Sequence, residues 1–383
     1  MTTGLSNLTD RDPAGERVSL VIFEGGAPAS EVEWLVVRAR WAIARDTARK
    51  AGEVEEIDRI ILSTNYPELA REAVTWRIPD LEVELDRPGE AFHLGKRLWE
   101  LIKAKNLKKV LYMGGASVPL IAVQELKQIC AAVDKVNTLC TNNIWSGDLV
   151  AFNPADALGL VPLPATDNEL PMLLRDRAGL KATVLPRSVG VSFDVDTPAD
   201  LEVLALHPGS GSKTREALTR LGLDTGRIQR AAGALMDPRA EVFIFGRLGA
   251  GLYGYLDAHT ECKLRVVSEE RGMRALGRLA RGEVISLLGL FLEDVGEARF
   301  FQYLGRVCHA AFIDTRVLFA HMKRNPSRSD RFNSDLGRAA EIQDDYVRRF
   351  TETAMAAPIP VILGGHSLVS GGLMALVDAA LAR

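Results

Sequence analysis

The sequence predicts two α/β domains, and three observations carry that reading. Short apolar runs alternate with longer amphipathic stretches from residue 18 onward, the pattern of a sheet covered by helices. Several of those runs end in glycine or a small polar cluster, where a strand hands over to a turn. At 383 residues the chain exceeds one ordinary domain and suits two, each with its own core. Residues 1–16 read as a flexible arm, 17–206 as the first domain, 207–214 as a Gly/Pro/Ser-rich linker and 215–383 as the second domain.

The elements follow in order. VSLVIFEG (18–25) is a buried-strand run that exits through glycines, and residues 31–51 show helical spacing with little turn chemistry. RIILSTN (59–65) is the next strand and must leave strand geometry before Pro67. A helix over about 94–105 leads to KKVLYMGG (108–115), a third strand with a second glycine exit. After a helix near 120–134 come the strand LVAFNP (149–154) and the run TVLPRSVGVSFDVDTPADL (183–201). There Thr197, Pro198 and Asp200 mark a helix start: a cap, a proline in the first turn and an early carboxylate. In the second half EVFIFGRLG (241–249) and CKLRVVSEERG (262–272) read as strands, 272–305 as helical, and AAFIDTRVLFAH (310–321) as a further strand. PIPVILGGHSLVSGGLMALVDAALAR (358–383) reads as strand, loop, helix, and KRNPSRSDRFNSD (323–335) as a polar, ordered loop.

Composition narrows the partners. A net charge of −3 offers no basic footprint for nucleic acid. The longest nearly apolar run, Val284–Leu292, is far short of the ~20 residues a membrane helix needs. The N-terminal stretch carries no apolar signal core, so the expectation is a cytoplasmic protein. Cys130, Cys140, Cys262 and Cys308 have no CxxC or metal spacing and read as reduced, mostly buried thiols. Whether the chain forms a homo-oligomer stays open.

Strands of a parallel sheet deliver their C-terminal ends to one edge, where ligands bind. In the first domain those ends carry Glu24-Gly25-Gly26, Thr64-Asn65, Gly114-Gly115, Ser146-Gly147-Asp148 and Asp194-Val195-Asp196. Glycines let backbone N–H groups approach a phosphate, and carboxylates from separate loops can share one hard cation.

The order of these pieces resembles the MobA-like and CofC-like nucleotidyltransferases of the GT-A fold, over residues 17–205. FDVDTPADLEVL (193–204) looks like that family's D-I-D-T-P-E-D-L ending, and ARDTARKAGEVEEIDRIILSTN (44–65) is similar to its helix-then-strand. The resemblance implies a GT-A-like, Rossmann-like first domain followed by an α/β domain of unknown function. It implies that Asp148 and Asp196 are catalytic and hold Mg²⁺ or Mn²⁺, and that Gly25, Gly26, Asn65, Gly114 and Gly115 lie along the nucleotide. Asn142, Asn143 and Asp167 would line the acceptor side. The family's opening loop carries an Arg and a Lys; GGAPASEVEW has neither, and Arg38, Arg40 and Arg45 on the next helix are the substitutes on offer. The implied reaction joins a nucleoside triphosphate to a small phosphorylated metabolite and releases pyrophosphate. Two alternatives stay open: a catalytically retired nucleotide- or sugar-phosphate-binding sensor or scaffold, and a GT-A glycosyltransferase.

The second domain matches no family read from these residues. Its candidates are Asp314 and Arg316, placed on one face by strand alternation, and the Gly/Ser loop with Gly365, His366 and Ser367. That loop lacks GK[ST] and GxSxG, so it is neither a Walker loop nor a nucleophile elbow. His309, His321 and His366 form no HxxxH or HxH pair.

Overall fold

The computed structural model describes residues 16–87, 89 and 91–382; the expected arm of residues 1–16 lies almost wholly outside them. Among the described residues, two sheets are built from eleven strands. The first uses β1 (Val18–Glu24), β2 (Ile57–Thr64), β3 (Leu81–Leu85), β4 (Lys109–Gly114), β5 (Thr138–Thr141), β6 (Leu149–Asn153) and β7 (Lys181–Val184). The second uses β8 (Glu241–Gly246), β9 (Lys263–Ser268), β10 (Ala310–Asp314) and β11 (Val361–Gly364).

The seven-stranded sheet has the order β3-β2-β1-β4-β6-β5-β7. All its pairings are parallel except those of β6, which runs against β4 and β5. β1 is buried along its whole length because both faces are covered, as expected of a central parallel strand. Its core joins Val21, Phe23 and Ile61 to Tyr112, Phe152 and the helix residues Leu98, Leu101 and Ile102. The four-stranded sheet, β11-β10-β8-β9, is parallel throughout. Phe243, Phe245, Phe300, Phe301, Phe319 and Phe350 fill its core.

By packing, the chain divides into two compact units. One comprises the described residues of Met1–Ala27 with Arg40–Val191; the other comprises Pro28–Ala39 with Ser192–Arg383. Residues 192–206 thus pack with the second unit, not with the first as the sequence reading had them. The reason is the helix Pro198–Leu206, buried on every side, whose neighbours are β11 and the helices Ser212–Leu221, Gly226–Leu235 and Leu373–Leu381. The stretch 207–214 is not a linker: residues 207–211 form an ordered turn, and 212–214 open the helix Ser212–Leu221 of the same unit. His207 is buried with Nε2 2.9 Å from Asp378 Oδ2, and the Ser210 hydroxyl donates to the Leu204 carbonyl at 2.6 Å.

Three other expectations are corrected. AAFIDTRVLFAH is not one strand: β10 stops at Asp314, whose side chain accepts from the Arg316 N–H and starts the helix Thr315–His321. The polar run 323–335 holds a helix, Arg328–Asp335, capped by Ser327. Residues 272–282 form turns, and the helix expected from 272 begins only at Leu287, with its cap at Ser286. All four cysteines are free; Cys130, Cys140 and Cys308 are buried.

Glu202, on the buried helix, is 7% exposed and its carboxyl is pushed up to about 8, chiefly by burial, with Arg227 pulling the other way. The group keeps its proton in the folded chain at a pH where the unfolded chain has released it. Its contribution is therefore complete below the ordinary glutamate range and is lost as pH rises toward 8. Glu202→Gln should be the more stable protein at pH 9, on the order of 2 kcal/mol, and equal to the parent near pH 4. Urea unfolding at both pH values checks this. Asp200, pushed up to about 7 in the same sense, leaves the variant a residual slope.

Candidate functional site

Because β6 is reversed, its start lies beside the end of β4, and the end of β5 lies beside it in turn. The first unit therefore gathers Glu24, Gly25 and Gly26 (after β1), Asn65 (after β2), Gly114 and Gly115 (β4), Asn142 and Asn143 (after β5) and Asp148 (before β6) along one edge. The sequence reading set Asp194, Val195 and Asp196 on this edge as well; they pack with the second unit instead.

Glu24 ends β1 with its side chain fully buried, and Arg40 reaches it from the helix Glu31–Ala51. Arg40 Nε lies 3.2 Å from both carboxylate oxygens, and one terminal nitrogen is 3.1 Å from Oε2. Burial pushes the Glu24 carboxyl up and the Arg40 charge pulls it back. Helical geometry explains why this arginine, and not Arg38 or Arg45, meets the edge. Arg38 is two residues away, across the helix, and is exposed. Arg45 turns toward Glu72 at 3.9 Å and lies over the Trp76 ring.

The glycines have different duties. Gly25 and Gly26 are exposed, and the Asn65 amide ties down the loop by accepting from the Gly26 N–H at 3.0 Å and donating to its carbonyl at 2.9 Å. Asn65 thus shapes the loop through both ends of its amide. A Cβ on Gly115 would fall 2.1 Å from Glu24 Oε2, so the close approach needs glycine. Gly115→Ala should cost about 1–3 kcal/mol through overcrowding of the Glu24–Arg40 pair, read as a lowered unfolding midpoint; an unchanged midpoint would refute the packing role.

The acidic side centres on Tyr112. Its hydroxyl donates to Asp167 Oδ2 at 3.3 Å, and its pKa is raised well above the usual value by burial first, then by the charges of Asp167 and Asp148. Two carboxylates on separate segments therefore lie around one phenol. Asn142 positions Asp148: its amide nitrogen donates to Asp148 Oδ2 at 3.2 Å and to the Val191 carbonyl at 3.0 Å. Asn143 folds the loop by accepting from the Trp145 N–H at 3.0 Å. Phe92, 57% exposed, stands edge-on to Phe23 at the end of β1, 5.5 Å between centroids. Sequence reasoning passed over Tyr112 and Phe92, since a lone aromatic carries no motif; it offered Arg40 as one of three arginines toward a phosphate, and the partner Arg40 meets is Glu24.

Asp196 belongs to the second unit, where its neighbours are Asp200 and His366. Asp314 and Arg316 do not pair through their side chains as alternation suggested. Asp314 is fully buried and held by Arg247 at 2.6 and 3.2 Å. Arg316 instead forks onto Asp335 at 2.5 and 2.6 Å and also donates to the Gly364 carbonyl. Gly365 packs beside Arg316 and Thr197, and the buried Ser367 hydroxyl donates to Asp194. Among the described residues no group of three or more His, Cys, Asp or Glu side chains is arranged to hold a metal. Among them, too, no helix is long and apolar enough to cross a membrane.

No family model matches the chain. No curated protein matches it either. Among solved structures it is similar to a cytidylyltransferase from Leptospira borgpetersenii serovar Hardjo-bovis, at 14% identity and a TM-score of 0.39, over 54% of this chain and 94% of that one. A putative nucleotide-diphospho-sugar transferase from Desulfovibrio desulfuricans G20 matches at 15% identity and a TM-score of 0.39, over 53% and 94%. An apo-form glycosyltransferase from Streptococcus pneumoniae TIGR4 aligns over 91% of each chain at 11% identity and a TM-score of 0.33. The first two matches span about half of this chain, and at such scores they carry no argument. The sheets themselves give the fold class: a GT-A-like α/β unit with one reversed strand, then an α/β unit whose smaller sheet is parallel throughout.

Proposed function

We propose that the first unit is a nucleotidyltransferase that joins a nucleoside triphosphate to a small phosphorylated acceptor. An acceptor phosphate oxygen forms a bond to the α-phosphorus, the bond to the bridging oxygen breaks, and pyrophosphate leaves. One observation supports this most: exposed Gly25-Gly26 and the Asp148–Asp167 carboxylates share one edge of the sheet. The exposed glycine backbone suits phosphate oxygens. Asp148 and Asp167 are hard oxygen donors that fit Mg²⁺ or Mn²⁺, an ion that keeps several waters and uses one or two carboxylates. Such an ion would neutralise charge on the phosphates. Asn142 orients Asp148 for that role, Tyr112 fixes Asp167, and exposed Phe92 offers a flat face to a base.

The test is pyrophosphate release from each of the four nucleoside triphosphates with a panel of phosphorylated metabolites, comparing wild type with Asp148→Ala and Asp167→Ala. Wild-type turnover lost in Asp148→Ala is the expected result; absence of release with every pair overturns it. A second reading, binding without turnover, is favoured by the Glu24–Arg40 pair, which already engages the arginine at this edge. Saturable nucleotide binding without pyrophosphate would establish that reading.

A further inference from the structure

The second unit has an edge of its own. From β8 the chain moves to β9 on one side and then returns to place β10 on the other, so the order reverses between β8 and β10. In open parallel sheets, ligands bind outside the carboxyl ends of the strands at such a reversal. Arg247 follows β8 and Asp314 ends β10, and their buried fork, 12% and 0% exposed, fixes the Arg247 guanidinium there. A Cβ on Gly249 would lie 3.4 Å from the Arg271 guanidinium, so Arg271 crosses the same loop. Arg271 is exposed and has no carboxylate partner among the described residues.

His366, two residues past β11, is within electrostatic reach of Arg247, Arg271, Asp314 and Asp196. Its ring is crowded by protein, yet the residue keeps exposed surface and makes no side-chain hydrogen bond to a described residue. Asp314 and Asp335 are taken up by Arg247 and Arg316, which leaves Arg271 as the guanidinium beside His366 without a carboxylate partner among the described residues. A guanidinium offers a phosphate two parallel N–H donors. Asp196 is exposed and would repel the phosphate itself; beside it, hydroxyl donors are the favoured neighbours.

We infer that the second unit binds a small hydroxylated phosphomonoester at this reversal, with Arg271 and His366 contacting the phosphate, Arg247 held behind them and Asp196 accepting from a ligand hydroxyl. This site is independent of the nucleotide reading of the first unit. Isothermal titration of the full chain at constant ionic strength, with inorganic phosphate and with glycerol 3-phosphate, tests it. The expected result is saturable binding, tighter for glycerol 3-phosphate, weakened at least about tenfold in Arg271→Ala and in His366→Ala. Arg271→Lys should recover part of it, and Asp148→Ala should leave it in place. Unchanged affinity in both alanine variants, loss in Asp148→Ala alone, or no saturation by about 10 mM overturns the proposal. Both residues are exposed, and the unfolding midpoint of each variant separates loss of the site from loss of the fold.

Discussion

Arg316→Ala should destabilise the chain by about 3–5 kcal/mol, the cost of leaving a buried charge without its partner. Asp335 has no exposed side-chain surface and Arg316 only 10%. The fork between them satisfies both carboxylate oxygens, and the same guanidinium donates to Thr315 Oγ1 and the Gly364 carbonyl. Truncation thus strands the carboxylate, while the Gly364 carbonyl keeps the Thr315 hydroxyl as a donor. Burial already pushes the Asp335 carboxyl up while Arg316 pulls it down; without that arginine only the charge of Arg331 is left to oppose the upward push. A folded-state pKa raised in this way makes stability fall as pH rises, so the loss should be larger at pH 8 than at pH 5. Urea unfolding at the two pH values measures it. Arg316→Met combined with Asp335→Leu should return most of the loss, because a pair of apolar side chains removes both desolvation costs. A single variant within about 0.5 kcal/mol of wild type would show that the pair is not what holds the ends of β10 and β11 together.

That pair also shows where the sequence stops being legible. The run AAFIDTRVLFAH is apolar enough for one long strand, and periodicity alone cannot separate that from a strand feeding a helix. What decides is Asp314, whose side chain caps the helix and meets Arg247, a partner 67 residues away. β3 and β5 escaped notice for opposite reasons. LEVEL alternates charge on an edge strand that is only half-buried, and TLCT offers four residues. Central strands such as β1 and β4 were legible because burial on both faces leaves a nearly continuous apolar run. The linker expectation rested on Gly, Pro and Ser, which turn chemistry requires equally in a buried corner; His207 and Ser210 make it a corner.

At the candidate site the strand ends were legible because topology alone sends them to one edge. Side-chain partners were not. Arg38, Arg40 and Arg45 are equivalent as letters, and only the phase of the helix against β1 selects Arg40. Asp148 was singled out through the family resemblance, but its neighbours Asn142, Tyr112 and Asp167 come from three separate segments. The resemblance paired Asp148 with Asp196, and the second unit claims Asp196 because FDVDTPADL packs there.

Asp148→Ala should lower the rate of pyrophosphate release by at least about a hundredfold, the scale on which one preorganised electrostatic group acts at a phosphoryl centre. The loss should fall on kcat more than on KM, since charge at the α-phosphorus changes most on the way to the transition state. Asp148→Asn keeps the shape and a hydrogen-bond acceptor facing Asn142, so a loss as large as that of alanine would assign the effect to the carboxylate charge. Asn142→Ala keeps that charge and removes its positioning, and should cost about 10–100-fold, the range for groups that orient a ligand from behind. Tyr112 supplies a readout independent of turnover. The Asp148 charge is one of the causes that raise its phenol, so Asp148→Ala should move the Tyr112 titration downward even without substrate. An unshifted phenol would place Asp148 away from Tyr112 in solution. A full rate in Asp148→Ala would remove it from the chemistry, whatever the edge looks like.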